Sequence, residues 1–258
     1  MNRYWEVDAF RGLAIVSMII FHVFYLVVFF AIAKIDLWTG FFWWFPRIIA
    51  GTFIFTVGLS LTLSHARVKA DHKNTFNKYL LRGLSIFGFG MIITIVTFIA
   101  FLILENITGE EQLSQVVYFG ILHCIGISII IGSFFLRFRI INIIIGVAVL
   151  IAGNLLNSLR FDFPWLLWLG FWPQGYYPVD YEPLLPWIAL FFFGLAFGNI
   201  VYKNGTRPSI IPELGSGILT LPFRGLGFMG RHSLLIYLVH IPALAGIIYG
   251  IKSLIELF

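Results

Sequence analysis

The chain has 258 residues, of which 60% are hydrophobic, 18% aromatic and only 11% charged. A soluble domain carries about 25% charged residues, so a water-surrounded globule is excluded and lipid is the natural solvent. The net charge of +5 comes with no basic face clear of apolar sequence, which excludes nucleic acid as the expected partner, and the single cysteine, Cys124, excludes an internal disulfide.

A spanning helix needs roughly 20 mostly apolar residues, and the runs here are far too long for barrel strands. The expected fold is therefore an all-α, polytopic membrane bundle of about seven helices. The spans lie near 9–33, 40–64, 81–104, 116–136, 140–158, 183–201 and 232–251. The first run is too long for a signal peptide and no small-residue cleavage site follows it. No repeat or linker divides the sequence, so residues 1–258 are read as one domain.

In the first span Asp8, Arg11, Ile15, Met18 and His22 recur at spacings of three and four, which puts them on one helical face. Asp8 and Arg11 are i,i+3 neighbours able to pair, and His22 lies about 16 Å further along the helix. Arg47 enters the second span and His123 the fourth, each about 10 Å below the same boundary by the helical rise. The second span also carries Gly51 and Gly58, and the fourth Gly120, Gly126 and Gly132, small residues that let membrane helices approach closely. Between the fifth and sixth spans, Phe161–Glu182 is rich in Trp, Tyr and Pro; its core, Pro164 to Trp172, is too short to cross. It is read as an interfacial aromatic segment or a re-entrant cap. The seventh span aligns Ser233, Tyr237 and His240 on one face.

Lys and Arg set the expected orientation. One side carries Arg3, Arg11, Arg67, Lys69, Lys73, Lys78, Arg82, Arg137, Arg139, Lys203, Arg207, Arg224 and Arg231. The other has only Lys34, Arg160 and Lys252, together with Glu105, Glu110, Glu111, Asp162, Asp180 and Glu182. The basic side is read as cytoplasmic, with the N-terminus inside and the C-terminus outside.

Ionisable groups at membrane depth cost several kcal/mol, roughly 2.5–3.5 at a helix centre by insertion scales, and so mark candidate function. His22, Arg47, His123 and His240 are the four. Each also has a purely structural reading: a histidine can bond a neighbouring carbonyl, Arg47 can snorkel to the headgroups, and Asp8 with Arg11 can simply anchor the helix. His65 and His72 fall in the basic loop and are read as solvated. No Walker loop, H-E-x-x-H or G-x-S-x-G motif occurs, and no metal is expected.

Four segments resemble a known group. They are Trp5-Glu6-Val7-Asp8-Ala9-Phe10-Arg11-Gly12-Leu13-Ala14-Ile15 followed by His22; Gly120-Ile121-Leu122-His123-Cys124-Ile125-Gly126; Asp180-Tyr181-Glu182-Pro183-Leu184-Leu185-Pro186-Trp187; and Gly230-Arg231-His232-Ser233-Leu234-Leu235-Ile236-Tyr237-Leu238-Val239-His240-Ile241-Pro242. In this order they resemble the heparan-alpha-glucosaminide N-acetyltransferase catalytic-domain family. The resemblance implies a membrane acyltransferase that moves an acyl group, acetyl above all, from cytoplasmic acyl-CoA to a sugar or other acceptor at or across the bilayer. On that reading Asp8 and Arg11, with the basic Arg67–Arg82 loop, receive the donor's phosphates. His22 acts as base or acyl acceptor, with His123 as second choice. Arg47 faces the developing oxyanion and Asp180 orients the acceptor, with Tyr237 and His240 as secondary candidates. The lysosomal family member's histidine just after the first helix has no counterpart, since residues 23–64 contain none, and His22 stands where that enzyme has asparagine. The competing reading is a proton-coupled carrier or flippase for a small molecule or lipid-linked sugar, its histidines relaying protons. A prokaryotic plasma membrane is the expected location.

Overall fold

A computed structural model describes residues 4–70, 76–109, 116–175, 180–215 and 217–255. Arg3, His72, Lys73, Glu110 and Glu111, used in the orientation and site reading, lie outside the described residues. Among those described the chain is all α, with eight helices: α1 Trp5–Phe29, α2 Gly40–Ala70, α3 Phe76–Thr108, α4 Ile121–Gly132, α5 Ile140–Asn157, α6 Leu184–Val201, α7 Leu221–Arg231 and α8 Ser233–Ile255. Six contain segments long and apolar enough to cross a bilayer: Trp5–Phe29, Gly40–Arg67, Phe76–Thr108, Ile140–Asn157, Leu184–Val201 and Ser233–Ile255. In α3 only Tyr79, Gly83 and Gly90 are buried, while Ile92, Ile95, Ile99 and Leu102 are exposed. A helix apolar on its open faces belongs in lipid, and the chain is an integral membrane protein.

The expected fourth span differs. Where 116–136 reads as one apolar run, α4 has 12 residues, about 18 Å of helix against a hydrocarbon core of about 30 Å. Its end is fixed by polar capture. Ser133 Oγ donates to Ile130 O at 2.7 Å, and buried Asn142 donates from Nδ2 to Phe135 O at 3.1 Å and Phe138 O at 2.5 Å. The Phe135 and Phe138 carbonyls lie past the last helical turn, where intrahelical donors run out, and each has a second donor, the Phe138 N–H at 3.1 Å and Asn199 Nδ2 at 3.2 Å.

The contacts divide the chain into two compact units, Met1–Phe53 with Ser209–Phe258, and Ile54–Pro208. In the first, α7 lies directly on α1. A Cβ on Gly12 would collide with the Leu226 carbonyl, and one on Gly230 with the Asp8 carbonyl, so the two backbones touch with no side chain between. Trp5 locks the lower end, donating from Nε1 to Pro212 O at 3.1 Å and packing edge-on against Phe223. α8 follows α1 upward to Phe30, whose carbonyl accepts from Lys252 Nζ at 3.1 Å.

The second unit is built the same way. Gly58 of α2 and Gly194 of α6 abut each other's helix backbone at Phe191 and Phe55. Gly83 of α3 faces Gly126 of α4, and Gly132 receives the Phe191 ring. Phe161–Glu182 holds no spanning helix in its described part. Phe161 and Pro173 form an isolated bridge, Leu167–Leu169 makes one 3-10 turn, and Tyr181 Oη donates to Leu167 O at 2.6 Å. The result is a small aromatic cluster, with Trp172 edge-on to Tyr181 at 4.8 Å.

Candidate functional site

The α1 stripe faces inward as its periodicity requires: Asp8, Ile15 and Met18 are buried, and Arg11 and His22 are half-buried. Asp8 Oδ1 lies 3.8 Å from Arg11 Nη1. The other carboxylate oxygen, Oδ2, is buried with no hydrogen-bond partner among the described residues. α7 crosses at this level, its Gly230 against Asp8, so the charged end of α1 is walled by a helix that ends in Arg231.

At the far end of the stripe, His22 meets His240 of α8. The rings are 4.6 Å apart, centroid to centroid, and nearly perpendicular at 84°. His22 Nδ1 lies 2.8 Å from Met18 O, and His240 Nδ1 lies 2.6 Å from Tyr237 O. A carbonyl oxygen can only accept, so each Nδ1 carries the hydrogen and each Nε2 keeps its lone pair. Tyr25 and Tyr237 flank the pair at 6.4 and 5.6 Å from His22 and His240 respectively. Arg47, in the same unit, donates from Nη1 to Trp43 O at 2.5 Å and stacks over the Trp43 ring at 3.5 Å.

His123 and Asp180 both border Gly120 at the head of α4, in the other unit. The Gly120 N–H donates to His123 Nδ1 at 3.2 Å, which reverses the tautomer: here Nε2 carries the hydrogen. The ring is 1% exposed, stacked on Phe119 at 5.3 Å and edge-on to Phe87 at 5.1 Å. Gly90 makes room for it, since a Cβ there would approach the imidazole to 2.9 Å. Nε2 is buried with no hydrogen-bond partner among the described residues. The Asp180 carboxylate lies beside Gly120, and the Glu182 N–H donates to Phe119 O at 3.2 Å. His123 thus carries its hydrogen on Nε2, where His22 and His240 carry theirs on Nδ1.

The sequence reading misses the pairing of His22 with His240. The helical rise places His22, Arg47 and His123 at similar depths and does not say which of them meet. The sequence reading also misses α7, whose signals were Pro222 at a helix start and the close-set Gly225, Gly227 and Gly230. Among the described residues no group of three or more His, Cys, Asp or Glu is placed to hold a metal ion.

These features define a polytopic membrane protein with titratable groups held inside its helices. A family model described as "Heparan-alpha-glucosaminide N-acetyltransferase, catalytic" matches residues 3–242, and the chain belongs to that family. No curated protein and no solved structure matches it.

Proposed function

We propose that this protein is an acetyl-CoA-dependent membrane acetyltransferase that passes an acetyl group to a sugar or other glycan acceptor at or across the bilayer. The observation that carries the reading is the α1 stripe, which joins a charged pair at one end to an imidazole with a free Nε2 lone pair at the other. The family supplies the reaction class and the donor. In this reading the N-terminus is cytoplasmic, the C-terminus is outside, and residues 1–258 act as one domain.

The roles follow from what each group can do. Arg11, steadied by Asp8, binds the phosphates of the donor as a planar cation with several donors. His22 lies about 16 Å along the helix from Arg11, a separation suited to the pantetheine arm between CoA's phosphates and its thioester. Its Nε2 lone pair takes the proton from the acceptor nucleophile as that atom bonds to the acetyl carbon and the C–S bond breaks. Arg47 is assigned to the developing oxyanion. His123 and Asp180, which both border Gly120, are assigned to the acceptor's hydroxyl groups.

The test is acetyl-CoA binding by calorimetry on purified protein, followed by acetyl transfer in sealed proteoliposomes with a panel of sugar acceptors. Arg11→Ala is expected to weaken binding at least about 10-fold, the loss of one charge-assisted contact of about 1.5–3 kcal/mol. His22→Ala is expected to retain binding and lower transfer by about 10²–10⁴-fold. Well-folded wild-type protein that binds no acetyl-CoA, or His22→Ala protein with full transfer, sinks the assignment. Movement of a sugar across the vesicles without acetyl-CoA would establish the carrier reading instead.

A further inference from the structure

We infer that His240 is the electrostatic partner of His22, so that the two imidazoles titrate as one unit and His240 tunes the base without itself meeting substrate. As a role in transfer, this rests on the acetyltransferase reading above.

The geometry leads to this in three steps. Both Nδ1 atoms are committed as donors to carbonyls of their own helices, Met18 O and Tyr237 O. Each ring is thereby locked in rotation and tautomer, and its basic nitrogen is Nε2. The rings are also in edge-to-face contact at 4.6 Å. At that range, in a low-dielectric setting, a proton on one ring is felt strongly by the other, and the pair titrates with properties of both together.

On α1 the nearest titratable group is Tyr25, and on α8 it is Tyr237. Asp8 and Arg11 lie about 16 Å or more down the helix. α7 meets α1 at Asp8 and Gly12 and brings Arg224 and Arg231 to that lower end. The first half of α2 meets α1 through Phe42 and Phe45, with Arg47 stacked over Trp43.

In the reaction the proton balance closes within the pair. The acceptor's N–H or O–H proton passes to His22 Nε2 as the new bond to the acetyl carbon forms. The C–S bond breaks with its electron pair left on the CoA sulfur. The proton held by the pair then passes to that thiolate, giving free CoA thiol and two neutral imidazoles. His240 steadies the charge during the interval in which the pair holds the proton.

The experiment uses full-length protein in nanodiscs with 15N-labelled histidine. The chain has six histidines, each assignable by a single His→Gln variant. His22 and His240 are expected to show hydrogen on Nδ1 and to titrate with shared, two-step profiles. In His240→Phe, which keeps an aromatic ring but no nitrogen, the His22 curve should become a single step and move by on the order of 1 pH unit. Transfer by this variant should fall by at least about 10-fold in kcat with KM for acetyl-CoA unchanged, and His240→Gln should share the loss of coupling. The pH profile of kcat should shift with the His22 titration, which a purely structural role would not produce. Superimposable His22 curves in wild type and His240→Phe, or hydrogen on Nε2 of either ring, overturn the proposal. Intact coupling in a wild-type protein that transfers acetyl to no acceptor supports the coupled pair and removes the acetyltransferase reading instead.

Discussion

Replacing Gly194 by alanine tests the packing of the second unit directly. A Cβ at this position would press into the Phe55 carbonyl of α2, with Phe55 C and Leu59 N both at 3.0 Å, and the reciprocal Gly58 is as tightly placed against Phe191. The atoms in the way are backbone, so no rotamer change relieves the contact and the helices must separate by about 1 Å to restore carbon contacts of about 3.5–4.0 Å. Ile54, Leu59, Phe191 and Leu195, all 4% exposed or less, surround the crossing. A gap of that size forfeits a quarter to a half of each dispersion contact. Overpacking costs about 1–3 kcal/mol, and the gain in helix propensity from Gly to Ala returns about 1 kcal/mol. The net loss of up to about 2 kcal/mol corresponds to a Tm lower by up to about 8 °C. Cys124, the chain's one cysteine, is fully buried in the same unit, so a thiol-reactive fluorophore reports the melt without further labelling. Gly88→Ala is the internal control: nothing lies within 4 Å of a Cβ there, and only the propensity gain remains. If Gly194→Ala melts no lower than Gly88→Ala, backbone contact does not hold α2 to α6.

Two further outcomes follow from polar contacts. Asn142→Leu should lower the Cys124-reported stability by about 1–3 kcal/mol, two hydrogen bonds of about 0.5–1.5 kcal/mol each, even though Phe135 O keeps the Phe138 N–H and Phe138 O keeps Asn199 Nδ2; a wild-type melt would show that the Asn142 bonds add no stability. In the loop between α1 and α2, Asp36 accepts from Thr39 Oγ1 at 2.7 Å and the Trp38 N–H at 2.8 Å, which holds its carboxyl below the usual 3.8. A lowered folded-state value means the loop's contribution is present at neutral pH and is lost as pH falls below about 4. Asp36→Asn should therefore flatten the Tm-against-pH curve between about pH 5 and pH 3, and an unchanged slope would refute the coupling.

Much of the architecture was legible because it follows from local chemistry. Six of the expected spans recur as long apolar helices, since a backbone in lipid must satisfy itself within each segment. The 3.6-residue period likewise put Asp8, Arg11, Ile15, Met18 and His22 on one face, and that face turns inward. The short α4 was less visible, because apolar residues continue past Gly132 and the carbonyls beyond it are captured by Asn142 and Asn199, which reach in from other helices. The meeting of His22 with His240 lay beyond any local pattern. Between membrane helices the surrounding lipid is as apolar as the side chains, so hydrophobicity does not say which faces meet. Backbone contact at Gly12 and Gly230, and the ring contact between α1 and α8, decided it. The tautomers were decided there too: a carbonyl beside His22 and an amide beside His123 give the same residue type opposite chemistry, and only the folded chain supplies those neighbours.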